Sequence, residues 1–249
     1  REVRGAGEVL GELAKRRPLA PETRLNETIG SRRRFTTAHG SLEDVKRVRR
    51  ATGATVNDVL LAIVALALEE YLASDHVDHV VALVPVSVRK EEDKGELGNH
   101  ISTVFVDLPL TGEPLERVAA ISASMKEVKE SSAVRAGALI VGATGLAPPL
   151  VSSIAVRAMA GPRLFNLVVS NVPGPQATFY LAGAPMLEAY PAVPLNPRNQ
   201  ALSIGILSYD GGIGFGLQAD REALPDVDDA GAAVKRALER LAGACPAAD

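Results

Sequence analysis

Two short stretches hold the polar side chains with the most chemical promise. Asn57-Asp58 follows Thr55-Val56 and directly precedes a nearly unbroken apolar run over residues 59–68. Thr55 to Asp58 has the form of a capping box, in which the Thr hydroxyl and the Asp carboxylate satisfy each other's backbone N–H groups at a helix start. Asp58 also complements the positive end of the helix dipole. Such a cap has no use for Asn57, so two readings stand side by side. Either Asn57 simply occupies the first turn, or its amide donates into a cleft beside the helix end. There it would stabilise a carbonyl oxygen that gains negative charge. The second stretch is Ser170-Asn171-Val172-Pro173-Gly174-Pro175, after a short apolar run. Its prolines and glycine hold the chain in a defined, non-helical exit from a strand. That exit is either a structural turn or a stiff loop lining a substrate channel, with Ser170 and Asn171 as its hydrogen-bonding groups beside Pro173 and Gly174.

Other constellations support less chemistry. The histidines are His39, His76, His79 and His100, and Asp75-His76-Val77-Asp78-His79 is the densest group of possible metal ligands. It reads as a solvated connector between a helix and a strand, because a zinc site would need a third ligand brought in through space. No metal is assigned. Gly211-Gly212-Ile213-Gly214-Phe215-Gly216 has the period-2 spacing of a strand, whereas a phosphate cradle needs its glycines between a strand and a helix. It therefore reads as a strand with close backbone approach. P-loop and G-x-S-x-G patterns are absent. The single cysteine, Cys245, excludes an intrachain disulfide and a Cys-rich metal site.

The elements that must position these residues follow from periodicity. Residues 1–30 are expected as a leader or interdomain linker and 31–243 as the main domain, with 244–249 as a tail. Arg32-Arg33-Arg34 reads as a solvated edge. A short strand is predicted over 35–39, and Ser41-Leu42-Glu43-Asp44 opens a helix to about residue 50. After Gly53, the Thr55 box starts a second helix to about residue 73, apolar nearly all round and so buried on most of its surface. Strands are predicted over 80–88 and 101–108, a charged loop over 89–96, and an amphipathic helix over 113–129. A strand over 164–169 leads into Ser170, with short strands near 177–182 and 185–193. The run 201–218 reads as a hairpin about Asp210-Gly211, and 226–241 as a closing helix. Interspersed helices and strands with late hairpins give an α/β class, a mixed sheet with flanking helices.

Composition narrows the function. Among 249 residues, 27 Lys and Arg oppose 30 Asp and Glu without long blocks of either sign, and 47 % are apolar. That supports a real core and argues against a nucleic-acid footprint. Residues 137–156 carry no charge, but Pro148-Pro149 divides them, so two short buried helices are expected rather than a membrane span. No signal pattern opens the chain, and a start at Arg1 suggests a fragment or processed chain. A cytoplasmic location is expected, with peripheral contact to a membrane or lipid droplet through residues 133–160 left open.

Taken in order, these residues resemble the carboxy-terminal half of the bacterial wax ester synthase/diacylglycerol acyltransferase family. Asn57-Asp58-Val59-Leu60-Leu61-Ala62 is similar to that family's N-D-V-V-L-A motif, with Leu60 in place of valine. Gly98-Asn99, Ser170 to Pro175, Tyr190-Pro191, Ser208-Tyr209 with Gly211, and Gly216 through Asp220 follow in the family's order, over about residues 25 to 243. The resemblance implies one half of a two-domain fold like chloramphenicol acetyltransferase and condensation domains, with the active site between the halves. It implies transfer of a fatty acyl group from acyl-CoA, a co-substrate rather than a bound cofactor, to diacylglycerol or a long-chain alcohol. The general base of that reaction is the second histidine of an H-H-x-x-x-D-G motif. This sequence lacks the motif, and His76 and His79 do not have its spacing. The implied partner is therefore a missing amino-terminal half, and this chain alone is expected to be inactive. Asn57 would position the reacting oxygen without acting as base, Asp58 would hold the motif, and Ser170, Asn171, Pro173 and Gly174 would line the channel. Two alternatives remain: a non-catalytic acyl-CoA- or lipid-binding module, and an acyltransferase with another alcohol acceptor.

Overall fold

The computed structural model describes residues 19–87, 101–130, 163–195 and 199–245. Its elements in chain order are β1 (Arg33–Ser41), α1 (Leu42–Thr52), α2 (Val56–Tyr71), β2 (His79–Ser87), β3 (Ile101–Pro109), α3 (Pro114–Glu130), β4 (Leu167–Pro173), β5 (Tyr180–Leu181), β6 (Ala184–Pro185), β7 (Leu202–Tyr209), β8 (Gly212–Asp220) and α4 (Val227–Gly243). Six strands form one mixed sheet in the order β1-β8-β7-β4-β2-β3, and β5-β6 form a separate small hairpin. The parallel pairs are β2 with β4 and β4 with β7; the remaining pairs are antiparallel. This is the mixed α/β architecture that the interspersed pattern predicts.

One face of the sheet carries the helices. Alternate residues such as Val80 and Ala82, Leu167 and Val169, Ile204 and Ile206, and Phe215 and Leu217 join the helix side chains in one core. Period-2 alternation turns their neighbours to the opposite face, where Val81, Leu83 and Phe165 form a smaller cluster with Ala20. Helix α2 is the central beam of the helical layer, in contact with α1, α3 and α4. No residue from Val59 to Leu68 is more than 3 % exposed, which makes α2 a core helix. No single described helix is long and apolar enough to cross a membrane; α1 and α2 together pass on length and composition but meet at 106°. Helix α1 starts on Ser41, whose Oγ accepts from the backbone of Glu43 and Asp44, and stops at Gly53, where φ is +69°. That left-handed conformation is natural to glycine and ends the helix cleanly.

The glycine run has the packing role its spacing suggests. Asp210 takes a φ of 44° and Gly211 a φ of 79°. Two successive positive values are what a two-residue hairpin turn requires. On the face opposite the described helices, the segment over residues 186–195 crosses β7 and β8. A Cβ on Gly214 would lie 2.1 Å from the Ala189 carbonyl oxygen, and one on Gly216 would lie 2.1 Å from that of Pro191. Gly205, which faces Gly216 across the ladder, makes room for the same Pro191 carbonyl. Ser203 Oγ fixes the far end by donating to the Pro194 carbonyl at 3.2 Å.

Two expectations need correction. The strand predicted over 164–169 starts at Leu167 and runs through Pro173, so Ser170 to Pro173 are strand residues rather than an exit. Proline is tolerated there because the pairing of β4 with β2 ends at Val168, and among the described residues β7 alone pairs with the strand beyond it. The strands expected near 177–182 and 185–193 shrink to two residues each; Pro185, Pro191 and Pro194 have no N–H to offer a ladder. Arg32, Arg33 and Arg34 are exposed at the edge of the sheet, as their reading as a solvated edge expects, and pair there with Glu222, Asp220 and Asp228 respectively. The broken helices expected over 137–156, the loop over 89–96 and the lipid-bordering stretch over 133–160 lie outside the described residues.

Candidate functional site

The site is built from the start of α2 and the end of β4. Thr55 Oγ1 accepts from the Asp58 amide at 3.2 Å, while Asp58 Oδ2 accepts from the Thr55 amide at 2.9 Å. Both halves of the predicted capping box are therefore made. Asp58 is 2 % exposed, and its other oxygen, Oδ1, is buried with no hydrogen-bond partner among the described residues. A buried acceptor left open in this way costs free energy, on the order of 1–3 kcal/mol.

Asn57, half-buried, sits one residue before Asp58, and its Oδ1 accepts from Asn171 Nδ2 at 3.4 Å. Two motifs 114 residues apart in the chain thus meet in space. The contact falls beyond the described pairing of β4 with β2, which ends at Val168.

The remaining predicted residues divide. Strand alternation puts Ser170 on the opposite face from Asn171, so the two do not line one surface together. Pro173 and Gly174 belong to a clasp on the β7–β8 turn. The Gly174 amide donates to Ser208 Oγ at 3.2 Å, and Gln176 Nε2 donates to the Gly174 carbonyl at 3.1 Å. Gln176 Oε1 in turn accepts from the Gly211 amide at 3.1 Å. A Cβ on Gly174 would come within 2.2 Å of the Ser208 carbonyl, which explains the glycine between two prolines.

His76 and His79 stand beyond the far end of α2, about 21 Å from Asn57 at roughly 1.5 Å per residue along the helix. His79 Nδ1 meets Asp78 Oδ1 at 2.6 Å, and this hydrogen bond holds the Asp78 carboxyl below its ordinary range. Among the described residues, no three His, Cys, Asp or Glu side chains are grouped to hold a metal ion.

Sequence reasoning misses a polar cluster at that far end. The Arg24 guanidinium lies 4.1 Å over the Tyr71 ring and donates to Asp226 Oδ2 at 2.7 Å and to the Tyr71 carbonyl. Tyr71 Oη donates to Asp226 Oδ1 at 2.8 Å, and the Arg24 amide donates to Asp75 Oδ1 at 2.9 Å. Burial alone would raise the Asp226 carboxyl, but the hydrogen bonds from Arg24 and Tyr71 outweigh it and hold it below the ordinary range. Burial, with Asp226 beside it, pushes the Tyr71 phenol well above its usual value. The one signal in the sequence is a tyrosine closing an otherwise aliphatic helix. Nearby, the fully buried Asn166 ties the same early segment to the sheet: its Oδ1 accepts from Val81 N and its Nδ2 donates to the Pro21 carbonyl, both at 2.8 Å.

Comparison with known proteins places this geometry. The WS/DGAT C-terminal domain matches residues 97–242, and the wax ester synthase/diacylglycerol acyltransferase catalytic domain matches residues 3–60. A putative diacylglycerol O-acyltransferase of Mycobacterium tuberculosis is 34 % identical over 240 residues, covering 92 % of this chain and 48 % of the relative. The chain spans about half the length of the curated relatives it matches. The solved wax ester synthase/diacylglycerol acyltransferase of Marinobacter aquaeolei superposes with a TM-score of 0.70 at 29 % identity, covering 97 % of this chain and 56 % of that one. A condensation domain of the enacyloxin polyketide synthase shares the fold, with a TM-score of 0.61 at 14 % identity over 99 % of this chain and 48 % of that one.

Proposed function

The chain belongs to the wax ester synthase/diacylglycerol acyltransferase family, and we propose that it is the carboxy-terminal half of an O-acyltransferase. The substrate pair is a fatty acyl-CoA and a lipid alcohol, either diacylglycerol or a long-chain alcohol, and the product is a storage lipid ester. The observation that carries this reading is the meeting of Asn57 with Asn171, which joins the two motifs singled out in the sequence.

The chemistry divides between two halves. A histidine of the amino-terminal half takes the proton of the acceptor hydroxyl as its oxygen attacks the thioester carbonyl. The carbonyl oxygen then carries negative charge until the coenzyme A thiolate leaves and is protonated. Asn57, its amide oriented by Asn171, donates to that oxygen at the positive end of α2, where the helix dipole adds to the stabilisation. Asp58 holds the first turn of α2 so that Asn57 keeps its place. Pro173 and Gly174 form the adjoining strand end and clasp that shape the channel wall, while Ser170 faces the other side of the sheet. Acyl-CoA enters as a co-substrate and leaves as free coenzyme A. Enclosure between two halves keeps water from competing with the alcohol, and the protein works in the cytoplasm or at a lipid surface.

Intact-mass measurement of the native preparation, coupled to an assay with fatty acyl-CoA and either diacylglycerol or hexadecanol, tests the reading. The 26.1 kDa chain alone should make no ester, and activity should appear when the amino-terminal half is co-expressed with it. Turnover by the chain alone at the rate of the pair would refute the division of labour. Absence of turnover by the pair with every acceptor would refute the acyltransferase reading itself.

A further inference from the structure

Among the described residues, β1 is an edge strand, paired with β8 on one side only. The Leu42 amide donates to the Gly211 carbonyl and the Arg221 amide to the Arg32 carbonyl, and both pairs continue the β1–β8 register. Hydrogen-bonded pairs alternate along an antiparallel ladder. Even-numbered residues of β1 therefore direct their backbone groups to β8, and Arg33, Phe35, Thr37, His39 and Ser41 turn theirs outward. None of these outward N–H or C=O groups has a hydrogen-bond partner among the described residues.

Proteins that do not use a sheet edge blunt it with a proline, a bulge, a mid-strand charge or a covering element. The β1–β8 register runs unbroken from Arg33 to Ser41, and Phe35 to Ser41 contains no proline, lysine, arginine or acidic residue. Arg33 and Arg34, at the start of the strand, are turned back to Asp220 and Asp228 of their own chain. The two large side chains leave the edge uncovered as well. A Cβ on Gly216 would lie 2.9 Å from Phe35 Cζ, and one on Gly212 would collide with His39 Nε2. Both rings thus lean inward over the glycines of β8, and between them stands only the small Thr37.

The sequence of the strand selects its occupant. In an antiparallel pairing about a two-fold axis at Thr37, Thr37 meets Thr37 of a second copy, Phe35 meets His39 and Arg33 meets Ser41. Every outward residue then finds an outward residue opposite, and all their N–H and C=O groups are satisfied. An axis moved to Ala38 would leave Arg33 unmatched. The register centred on Thr37 also brings the basic stretch Arg32-Arg33-Arg34 of each copy beside Glu43 and Asp44, which open α1 in the other. A parallel pairing would instead set the two arginine stretches side by side. These charges have partners within their own chain, so they choose direction and register while the backbone ladder supplies the affinity. Strand β1 stands three strands, about 14 Å, from β4 and the Asn57–Asn171 contact, so a half that meets Asn57 need not cover this edge. We propose that β1 is a dimerisation edge, at which two copies of the chain join their sheets by antiparallel β1–β1 pairing centred on Thr37. This association is independent of the reaction proposed above.

Sedimentation of the chain across a concentration series should show a monomer–dimer equilibrium. Thr37→Pro removes the outward N–H on the axis and leaves the bonds to β8 in place. Thr37→Lys keeps that N–H but sets two charges against each other, and it serves as the second variant where proline disturbs the strand. Each should raise the dimer dissociation constant at least about 30-fold. The unfolding midpoint of Thr37→Lys, measured where the wild type is monomeric, should not move. Residue-resolved hydrogen exchange reads the edge directly: the amides of Phe35, Thr37 and His39 should slow at least about tenfold on dimerisation, while those of Thr36 and Ala38, already bonded to β8, should not change. A wild-type chain that stays monomeric up to about 1 mM would overturn the proposal. So would a dimer that both variants leave intact, or one that forms without slowing the outward amides. Slowing of those amides only when the amino-terminal half is added would assign the edge to that half and overturn the proposal equally.

Discussion

The two ends of α2 are held in opposite ways. At its carboxy-terminal end Tyr71 is stacked by Arg24 and bonded to Asp226, and Arg24 reaches Asp75 as well. At its amino-terminal end Asn57 has one long bond to Asn171, and Asp58 keeps a buried oxygen without a partner. From Val59 to Leu68 the helix between them is apolar and at most 3 % exposed, so the contrast lies in the polar groups at the two ends. One end uses its polar groups to fasten the early segment of the chain to the core. The other leaves hydrogen-bonding capacity unspent beside the end of β4, as a site that must meet something further would do.

The largest expected effect falls on the open end. In the two-half enzyme, Asn57→Ala should lower kcat about 100-fold, the scale of losing one donor to a developing oxyanion. The unfolding midpoint of this chain should stay within about 1 °C, because the bond lost is a long, half-buried one and contributes little net stability. A large fall in midpoint with unchanged kcat would reverse the roles of the two ends.

Arg24→Ala should do the opposite. Removing one partner of a mostly buried ion cluster leaves Asp75 and Asp226 uncompensated. The Arg24 side chain is 26 % exposed, so water already screens part of its charge. The cost should be about 2 kcal/mol, below that of breaking a fully buried pair. Urea denaturation would report it, and kcat per folded molecule should hold. An unchanged midpoint would remove the basis for calling this the fastening end.

A smaller effect separates support from chemistry within the open end itself. Asp58→Ala removes one half of the capping box and should cost about 1 kcal/mol. Asp58→Asn retains an oxygen for the Thr55 amide and should recover most of that stability. If kcat recovers with it, Asp58 acts by holding the turn. If stability recovers and kcat does not, the unpartnered carboxylate oxygen takes part in the meeting with the other half.

How far these ends are legible follows from the range of the interactions involved. The capping box is local, four residues long, and its spacing marks the start of α2 and the place of Asp58 in it, but not Asn57. The Asp210-Gly211 turn and the strand glycines are legible for the same reason. Ser170 and Asn171 read as a pair because they are neighbours in sequence, yet strand alternation sends neighbours to opposite faces. The strand that separates them extends past its apolar run because β7 supplies the ladder. Arg24 is hidden most completely. It lies in a polar stretch preceded by two prolines, and its partners Tyr71 and Asp226 are 47 and 202 residues away. No periodicity encodes a cluster drawn from three such distant points.

The mildest test of the contrast uses protons instead of substitutions. The Asp226 carboxyl in the folded chain titrates below its ordinary value, since the bonds from Arg24 and Tyr71 outweigh the effect of burial. A group depressed on folding contributes stability that is complete above its unfolded value, about 3.9, and fades as pH falls through the lower folded one. Tyr71 is raised, so its contribution is complete below its unfolded value of about 10 and fades only in strong alkali. The stability difference between wild type and Arg24→Ala should therefore be flat from about pH 5 to 9 and shrink below about pH 4. The Asp226 side chain is 38 % exposed. Water therefore screens the pair, and the change should be the smallest of the four. Urea midpoints of both proteins at pH 7, 4 and 3 would measure it. The same series for Asn57→Ala should run parallel to the wild type, since neither partner in the Asn57–Asn171 contact titrates. A difference for Arg24→Ala that stays constant down to pH 3 would mean that the fastening at this end comes from the stacking of Arg24 on Tyr71 rather than from charge.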